Sequence, residues 1–480
     1  MKILKNIILI SLFLTVSSCQ KWLTVEPEDR STEDQLFSSV NGFYIALNGI
    51  YTDFTNPYSY GAAWTMTTLE ILAQRYNVNQ EHTSYTLANY GFQEETAKRT
   101  MESIWNKAYF QIASANNILE QIEKRREIFT SPVDYALIKG EALALRAMIH
   151  FDLVRLFGPM PAQGGDNAAI PYYIENNRKT APILSLNQVL SKAITDLENA
   201  IELLKEDPII SKGPLYSDSQ LGGDYQRRYR TLRLNYFATL GLLARVQLYA
   251  GNKPSAFQHA ATVITQASTW FPFIKTENIM GSSKNPDRIF STEILFSLQA
   301  PQRQQTYLAY FAPDLDGKNI LAPLSSRLDQ SFENNQNDFR YTPLWASGEA
   351  SGKNYRVFSK YNNIEDSRLN YNNRIPLIRL SEMYYIAAES AENPNEGLTF
   401  LNTIRNARGL VSLSELAPEQ WKSEIEKEYI KEFYGEGQLF FFFKRIGKAT
   451  IPDGKSVNNI NMTPSKYIVP LPESETRHRN

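Results

Sequence analysis

The stretch SPVDYALIKGEALALRAMIHFDLVRLFG, residues 131–158, decides the fold. Val133, Leu137, Gly140, Ala144, Ala147, Phe151 and Val154 recur at steps of three and four, the spacing that places side chains on one helix face. The middle of that seam is small, so a second helix can approach closely. Ser131 supplies a capping oxygen and Pro132 fills the first helical position, where its missing N–H does no harm. The sequence therefore predicts a long helix that starts at Pro132 and packs tightly along its length.

Working outward, the same pattern recurs. Ile104, Ala108, Ile112, Ala115, Leu119 and Ile122 form a seam just upstream, the antiparallel partner of the first helix. Phe237, Gly241, Ala244 and Leu248 make another. A Gly251-Asn252 break follows, and then Ala256, Ala260, Val263 and Ala267. A third pair runs from Met383 to Ala391, turns through Glu392-Asn393-Pro394, and continues through Leu398, Leu401 and Ile404. Helix, tight turn and helix with small residues inside resembles a tetratricopeptide hairpin. Val189, Ala193, Leu197, Ala200 and Leu204 give a further helix, begun by the capping box Ser185 to Gln188. Trp421, Ile425, Tyr429 and Phe433 mark one near the C-terminus. The fold class expected is mostly α, with helical hairpins within 98–157, 186–268 and 377–435.

Long stretches without helical period separate these hairpins, chiefly 55–95, 158–182, 207–229 and 270–375. Segments of this length in a compact protein are functional or disordered. These are rich in Tyr, Trp and Phe, which disordered chains lack. The arrangement implied is a helical scaffold carrying a loop-rich layer, with insertions 55–95 and 270–375, all in a single domain over 19–480. Lys and Arg together number 50 against 51 Asp and Glu, so no strong field points to nucleic acid.

At the N-terminus, Lys2 and Lys5 precede the apolar run Ile7 to Val16, which has secretory-signal length and is too short to span a bilayer. Val16-Ser17-Ser18 leads into Cys19, the one cysteine of the chain. This resembles a bacterial lipobox. The resemblance implies that residues 1–18 are removed, that Cys19 is acylated, and that 19–30 form a tether. An acylated Cys19 leaves no thiol for a disulfide.

Several stretches together resemble the SusD/RagB family of nutrient-binding outer-membrane lipoproteins. Trp22-Leu23 and Pro27 follow Cys19 in the family's manner. The segment Gly140-Glu141-Ala142, Leu145-Arg146-Ala147, Phe151 to Gly158 and Pro161 is the most telling. Later matches are Arg379 to Tyr384 with Ala387 and Glu389, Leu401-Asn402, Ile404-Arg405 and Arg408-Gly409. The end offers Glu432-Phe433, Gly435-Glu436-Gly437, Lys444-Arg445 and Tyr467 to Glu473. Where many members carry an EGxRWFDLxR-like run, this chain has Glu436 to Leu439 and then Phe440 to Phe443, which read as buried core. The resemblance implies a lipid-anchored protein at the outer membrane, facing the cell exterior. It implies further that the protein captures oligosaccharides over a SusC-type TonB-dependent transporter and acts as its lid.

No constellation suggests catalysis. His82, His150, His259 and His478 have no metal-ligand spacing, and no phosphate loop or nucleophile elbow occurs. Asp314-Leu315-Asp316-Gly317 has part of a calcium loop but lacks its distal ligands, so it reads as a polar turn. The chain is expected to be no enzyme and to need no cofactor or metal. Binding sugar requires less: ring faces for C–H groups, and amides and charged side chains for hydroxyls. The early loops offer Trp64, Arg75, Tyr76, Asn77, Tyr85 and Tyr90, beside Gln74, Asn79 and Gln93. The later loops offer Tyr307, Tyr310, Trp345 and Tyr355, with Arg340 and Asn354 nearby. Each aromatic has the competing reading of an anchor for its own loop. Peptide cargo on the same machine, and a tetratricopeptide-like scaffold that binds no small ligand, are the alternative functions.

Overall fold

The computed structural model describes residues 33–177, 179–214, 227–281, 284–477 and 479. The signal, the tether, Cys19 and His478 lie outside the described residues.

Helices form over every seam read from the sequence, while Val40–Asp53 and several short helices lie outside those seams. The principal ones are α1 (Val40–Asp53), α2 (Glu95–Lys124), α3 (Pro132–Phe157), α4 (Leu186–Leu203), α5 (Tyr236–Tyr249), α6 (Lys253–Ala267), α7 (Leu380–Ser390), α8 (Pro394–Ala407), α9 (Pro418–Glu432) and α10 (Leu439–Arg445). Their ends carry the expected chemistry. Ser131 caps α3 by accepting from the Asp134 amide, and Ser185 and Gln188 close a capping box on α4. Asn252 and Asn393 cap the second helix of their hairpins, each with a proline in the first turn.

These helices stack in one continuous array. α3 lies between α2 and α4, α4 reaches α5, α5 pairs with α6, α6 with α7, and α7 with α8. α1 leans on α2 and α3. The small seam of α3 does what its composition predicts: a side chain at Gly140 would stand 2.8 Å from Leu204, so glycine is what lets the end of α4 come close. One feature differs from a half-buried hairpin. From Gly140 to Phe157, α3 is buried on every side, because α1, α2, α4 and the sheet beneath enclose it.

Such enclosure forces the charged residues of α3 to find partners. Glu141 accepts from Arg230 at 2.6 Å and from the Tyr51 hydroxyl at 2.9 Å, while Arg230 forks onto Asp207. Arg146 makes a bidentate pair with Asp196 at 2.6 and 2.7 Å. Asp152 takes the Tyr60 hydroxyl at 2.6 Å and also pairs with Arg155. A buried charge without a partner is strongly unfavourable, so each pair fixes a loop or neighbouring helix in place.

Among the described residues four small antiparallel sheets sit among the loops: β1 (Ala168–Pro171) with β2 (Ile183–Ser185), β3 (Ile294–Gln299) with β6 (Arg374–Arg379), β4 (Trp345–Ser347) with β5 (Arg356–Phe358), and β7 (Thr450–Pro452) with β8 (Asn459–Asn461). β6 runs directly into α7, so the β3–β6 ladder joins the loop layer to the helical array. A second ionic network reinforces that junction. Arg408, at the end of α8, forks onto Glu293 at 2.7 and 2.8 Å and reaches Glu432 at 2.7 Å. Arg379 bonds Glu432 and Glu436, and Arg340 bonds Asp338, Glu428 and Glu432. Burial alone would raise the Glu432 carboxyl, but Arg408 and Arg379 hold it well below the ordinary carboxylate range. Phe440 to Phe443 lie in α10 and are buried, as their composition predicts.

Candidate functional site

The early and later loops meet. The backbone N–H of Asn77 donates to the carbonyl of Ala322 at 2.8 Å, a single-bond bridge between segments far apart in sequence. Around it opens a cleft of about 1100 Å³, walled by Asn77 to Glu81 and Tyr85 on one side and by Gly317, Ile320 and Ala322 to Ser326 on the other. Asn354, Tyr355 and Lys455 complete the rim.

Each wall is held from behind. Tyr76, next to Asn77, is buried, donates its hydroxyl to Met66 O at 2.8 Å, and packs against Phe311 and Tyr434. Arg75 lies over the Tyr434 ring and donates to Ile430 O of α9. The later wall rests on the short helix Ser325–Ser331, whose Arg327 donates to backbone carbonyls of Asp453, Ser456 and Asn458. That arginine ties the β7–β8 hairpin tip to the cleft. Gly454 packs so closely on the backbone of Gln74 and Tyr76 that a side chain there would stand 2.5 Å from Tyr76 O. Lys455, beside it, extends to the rim. Its ammonium lies 4.4 Å from the Tyr85 ring centre and donates to Asn89.

Of the residues singled out from sequence, Asn77, Asn79, Tyr85, Asn354 and Tyr355 line the cleft. The two tyrosines are partly exposed. Tyr310 and Tyr90 are partly buried behind or beside it: Tyr310 packs against His82, and Tyr90 donates to Leu72 O at 2.8 Å. Trp64, Arg75, Tyr76, Tyr307 and Trp345 need correction as ligand contacts. Their exposures run from 2 to 7%, too little to offer a face to a ligand. Trp64 packs between Tyr60 and Phe441, and Trp345 meets Tyr434 and Phe358 as β4 pairs with β5. For these residues the anchoring role is the one the structure displays. Arg340 belongs to the buried ionic network. Periodicity and composition gave no sign of Ser325, Ser326 or Lys455. The only local signal for Lys455 is its place in a polar turn, Asp453-Gly454-Lys455, between the strand residues Ile451 and Ile460.

Chemically the cleft offers groups suited to holding a ligand. It combines two tyrosine faces with the side-chain amides of Asn77, Asn79, Gln80 and Asn354 and the hydroxyls of Ser325 and Ser326. Among the described residues its one lining carboxylate is Glu81, whereas glycoside hydrolysis employs a pair. His82 is buried against the early wall, accepts from the Ser84 amide at 3.0 Å, and is pushed below the usual imidazole range by burial. It is a neutral structural group. Among the described residues no cluster of His, Cys, Asp and Glu could hold a metal ion, and no helix is long and apolar enough to cross a membrane.

The chain matches known proteins over nearly all of its length. Residues 21–214 match a family described as starch-binding, associating with outer membrane, and residues 251–476 match the SusD family. The SusD-like protein P38 of Formosa agariphila is 24% identical, covering 98% of this chain and 97% of that protein. A SusD superfamily protein of Bacteroides thetaiotaomicron superposes with a TM-score of 0.73 at 21% identity, covering 92% of this chain and 98% of the other. A protein of Bacteroides vulgatus described as a putative sugar binding protein superposes at 0.69, also at 21% identity, covering 92% and 96%. The helical array, the loop layer and the two matched segments agree: this chain belongs to the SusD family.

Proposed function

We propose that the chain captures oligosaccharides in the Asn77–Tyr355 cleft and presents them to a SusC-type TonB-dependent transporter, over which it acts as a lid. The observation that carries the binding half is the convergence of Tyr85, Tyr355 and the surrounding amides on one open cleft. Sugar rings present C–H faces to aromatic rings and hydroxyls to amides, and this lining supplies both. The protein binds without catalysis on this reading, since the cleft holds one carboxylate and no activated nucleophile. Acylated Cys19 anchors it to the outer membrane facing the exterior, where the tether keeps it near its transporter at high effective concentration.

Two measurements test the reading. Titration of the mature protein with a panel of oligosaccharides and short peptides should show saturable glycan binding; binding to peptides alone would move the cargo to peptide. Replacing Cys19 with Ala should release the protein from membrane fractions, and continued attachment would overturn the anchor.

A further inference from the structure

We infer that the cleft selects glycans bearing an acidic group, a carboxylate or a sulfate, and that Lys455 is the residue that reads it. This rests on the glycan-binding reading above and specifies the class of glycan. The charged side chains at the cleft are few. Glu81 lines it and is paired with Lys318 at 3.8 Å. Lys455 lines it as well, and among the described residues no carboxylate lies within ion-pair distance of its ammonium. Its contacts are the Tyr85 ring, 4.4 Å away, and the neutral amide oxygen of Asn89.

Among the described residues the cleft thus carries one ammonium without an ion-pair partner, held over the Tyr85 ring. The location is built rather than incidental. Asp453 accepts from the Lys455 amide at 3.0 Å and from Ser456, and Arg327 binds the carbonyls of the same turn. The turn backbone is fixed against Gln74, whose side chain accepts from Gly454. The fixed turn sets where the side chain starts, and its contacts with the Tyr85 ring and Asn89 restrain the ammonium, which lowers the ordering cost that makes surface lysines poor ligand contacts. It retains donor capacity beyond its bond to Asn89, which a ligand anion can use. A sugar seated in the cleft where Tyr85 and Lys455 line it brings a carboxylate or sulfate on its edge within reach of that ammonium, and the charge-assisted bond formed there is stronger than a neutral one. Neutral sugars gain the ring and amide contacts only.

The test compares a galacturonic acid hexamer, its fully methyl-esterified form, a heparin-derived hexasaccharide and maltohexaose by calorimetric titration at 20 and 200 mM salt. The wild-type protein should bind one of the two acidic glycans at least tenfold more tightly than the ester and the neutral hexamer, with affinity falling as salt rises. Binding of the galacturonate identifies a carboxylate reader, and binding of the heparin fragment a sulfate reader. Lys455→Gln should remove the preference with melting within a few degrees of wild type, while Lys455→Arg should retain the preference within about threefold. Equal binding of neutral and acidic glycans, or a preference that survives Lys455→Gln, overturns the inference and leaves glycan capture standing. Binding of none of the four overturns both.

Discussion

Asn77 and Ala322, 245 positions apart in sequence, are joined by one backbone hydrogen bond of 2.8 Å. It fixes the spacing between the two walls of the cleft. The side chain of Asn77 faces the opening, while its neighbour Tyr76 is buried and bonded to Met66. Alternation along this short segment therefore puts an anchor and a cleft-lining residue side by side. The anchors and the contacts respond differently to substitution.

Trp345→Ala removes a buried ring that packs on Tyr434 and Phe358. Loss of a buried aromatic costs about 3–5 kcal/mol. Urea unfolding should show a loss of this order, and the protein that remains folded should bind glycan with unchanged affinity.

Arg408 satisfies Glu293 and Glu432 at once, with all three side chains fully buried. Arg408→Met leaves two buried carboxylates short of a partner, which costs about 3–5 kcal/mol. Arg408→Lys should recover part of this, because a single ammonium cannot reproduce the bidentate fork. Thermal unfolding of the two variants should rank them in that order below the wild type.

Gly437 stands at φ of 69°, and a side chain there would meet Trp64 O at 2.0 Å. Its amide donates to the buried Glu70 at 2.9 Å. Gly437→Ala therefore combines left-handed strain with a backbone clash, and we expect a loss of at least about 2 kcal/mol. An expression and melting comparison checks this, with Gly251→Ala as a control. Gly251 also has positive φ but has open space around it. It should lose only the strain component.

His150 is buried beneath the Tyr172 ring, with Nδ1 against Arg146 O and Nε2 accepting from the Tyr173 amide. Burial is the main cause that takes its pKa down to about 3. The unfolded chain, with histidine near 6.5, takes up the proton first, so this contribution is complete above about pH 6.5 and is lost as pH falls toward 3. At pH 4.5 the loss is about 3 kcal/mol by that linkage. Urea midpoints of wild type and His150→Asn between pH 7 and 4.5 should converge as pH falls; parallel curves would refute the assignment.

Much of the scaffold was legible in sequence, because the seams of α2 to α8 depend on local periodicity and on caps within a few residues of each helix end. The stretches that resemble the family were legible too, and the structure supplies their physical content. Glu141, Arg146, Asp152, Arg379, Arg408, Glu432 and Glu436 are members of the buried ionic networks that lock loops to helices. The cleft was only half legible. Aromatic density in the loops marked both walls, but an aromatic side chain that anchors a loop has the same composition as one that faces a ligand. Trp64 and Tyr85 differ only in tertiary placement. Lys455 was out of reach because its position depends on Arg327 gripping a hairpin 126 to 131 residues away.

One titration decides whether the cleft joined at Asn77 and Ala322 is the glycan site. The double variant Tyr85→Ala/Tyr355→Ala is measured against a glycan that the wild-type protein binds, with melting temperature recorded in parallel. Stacked rings contribute about 1 kcal/mol or more each beyond contact area. At least a tenfold loss of affinity is expected, with melting within a few degrees of wild type. Unchanged affinity in a folded double variant would contradict that assignment.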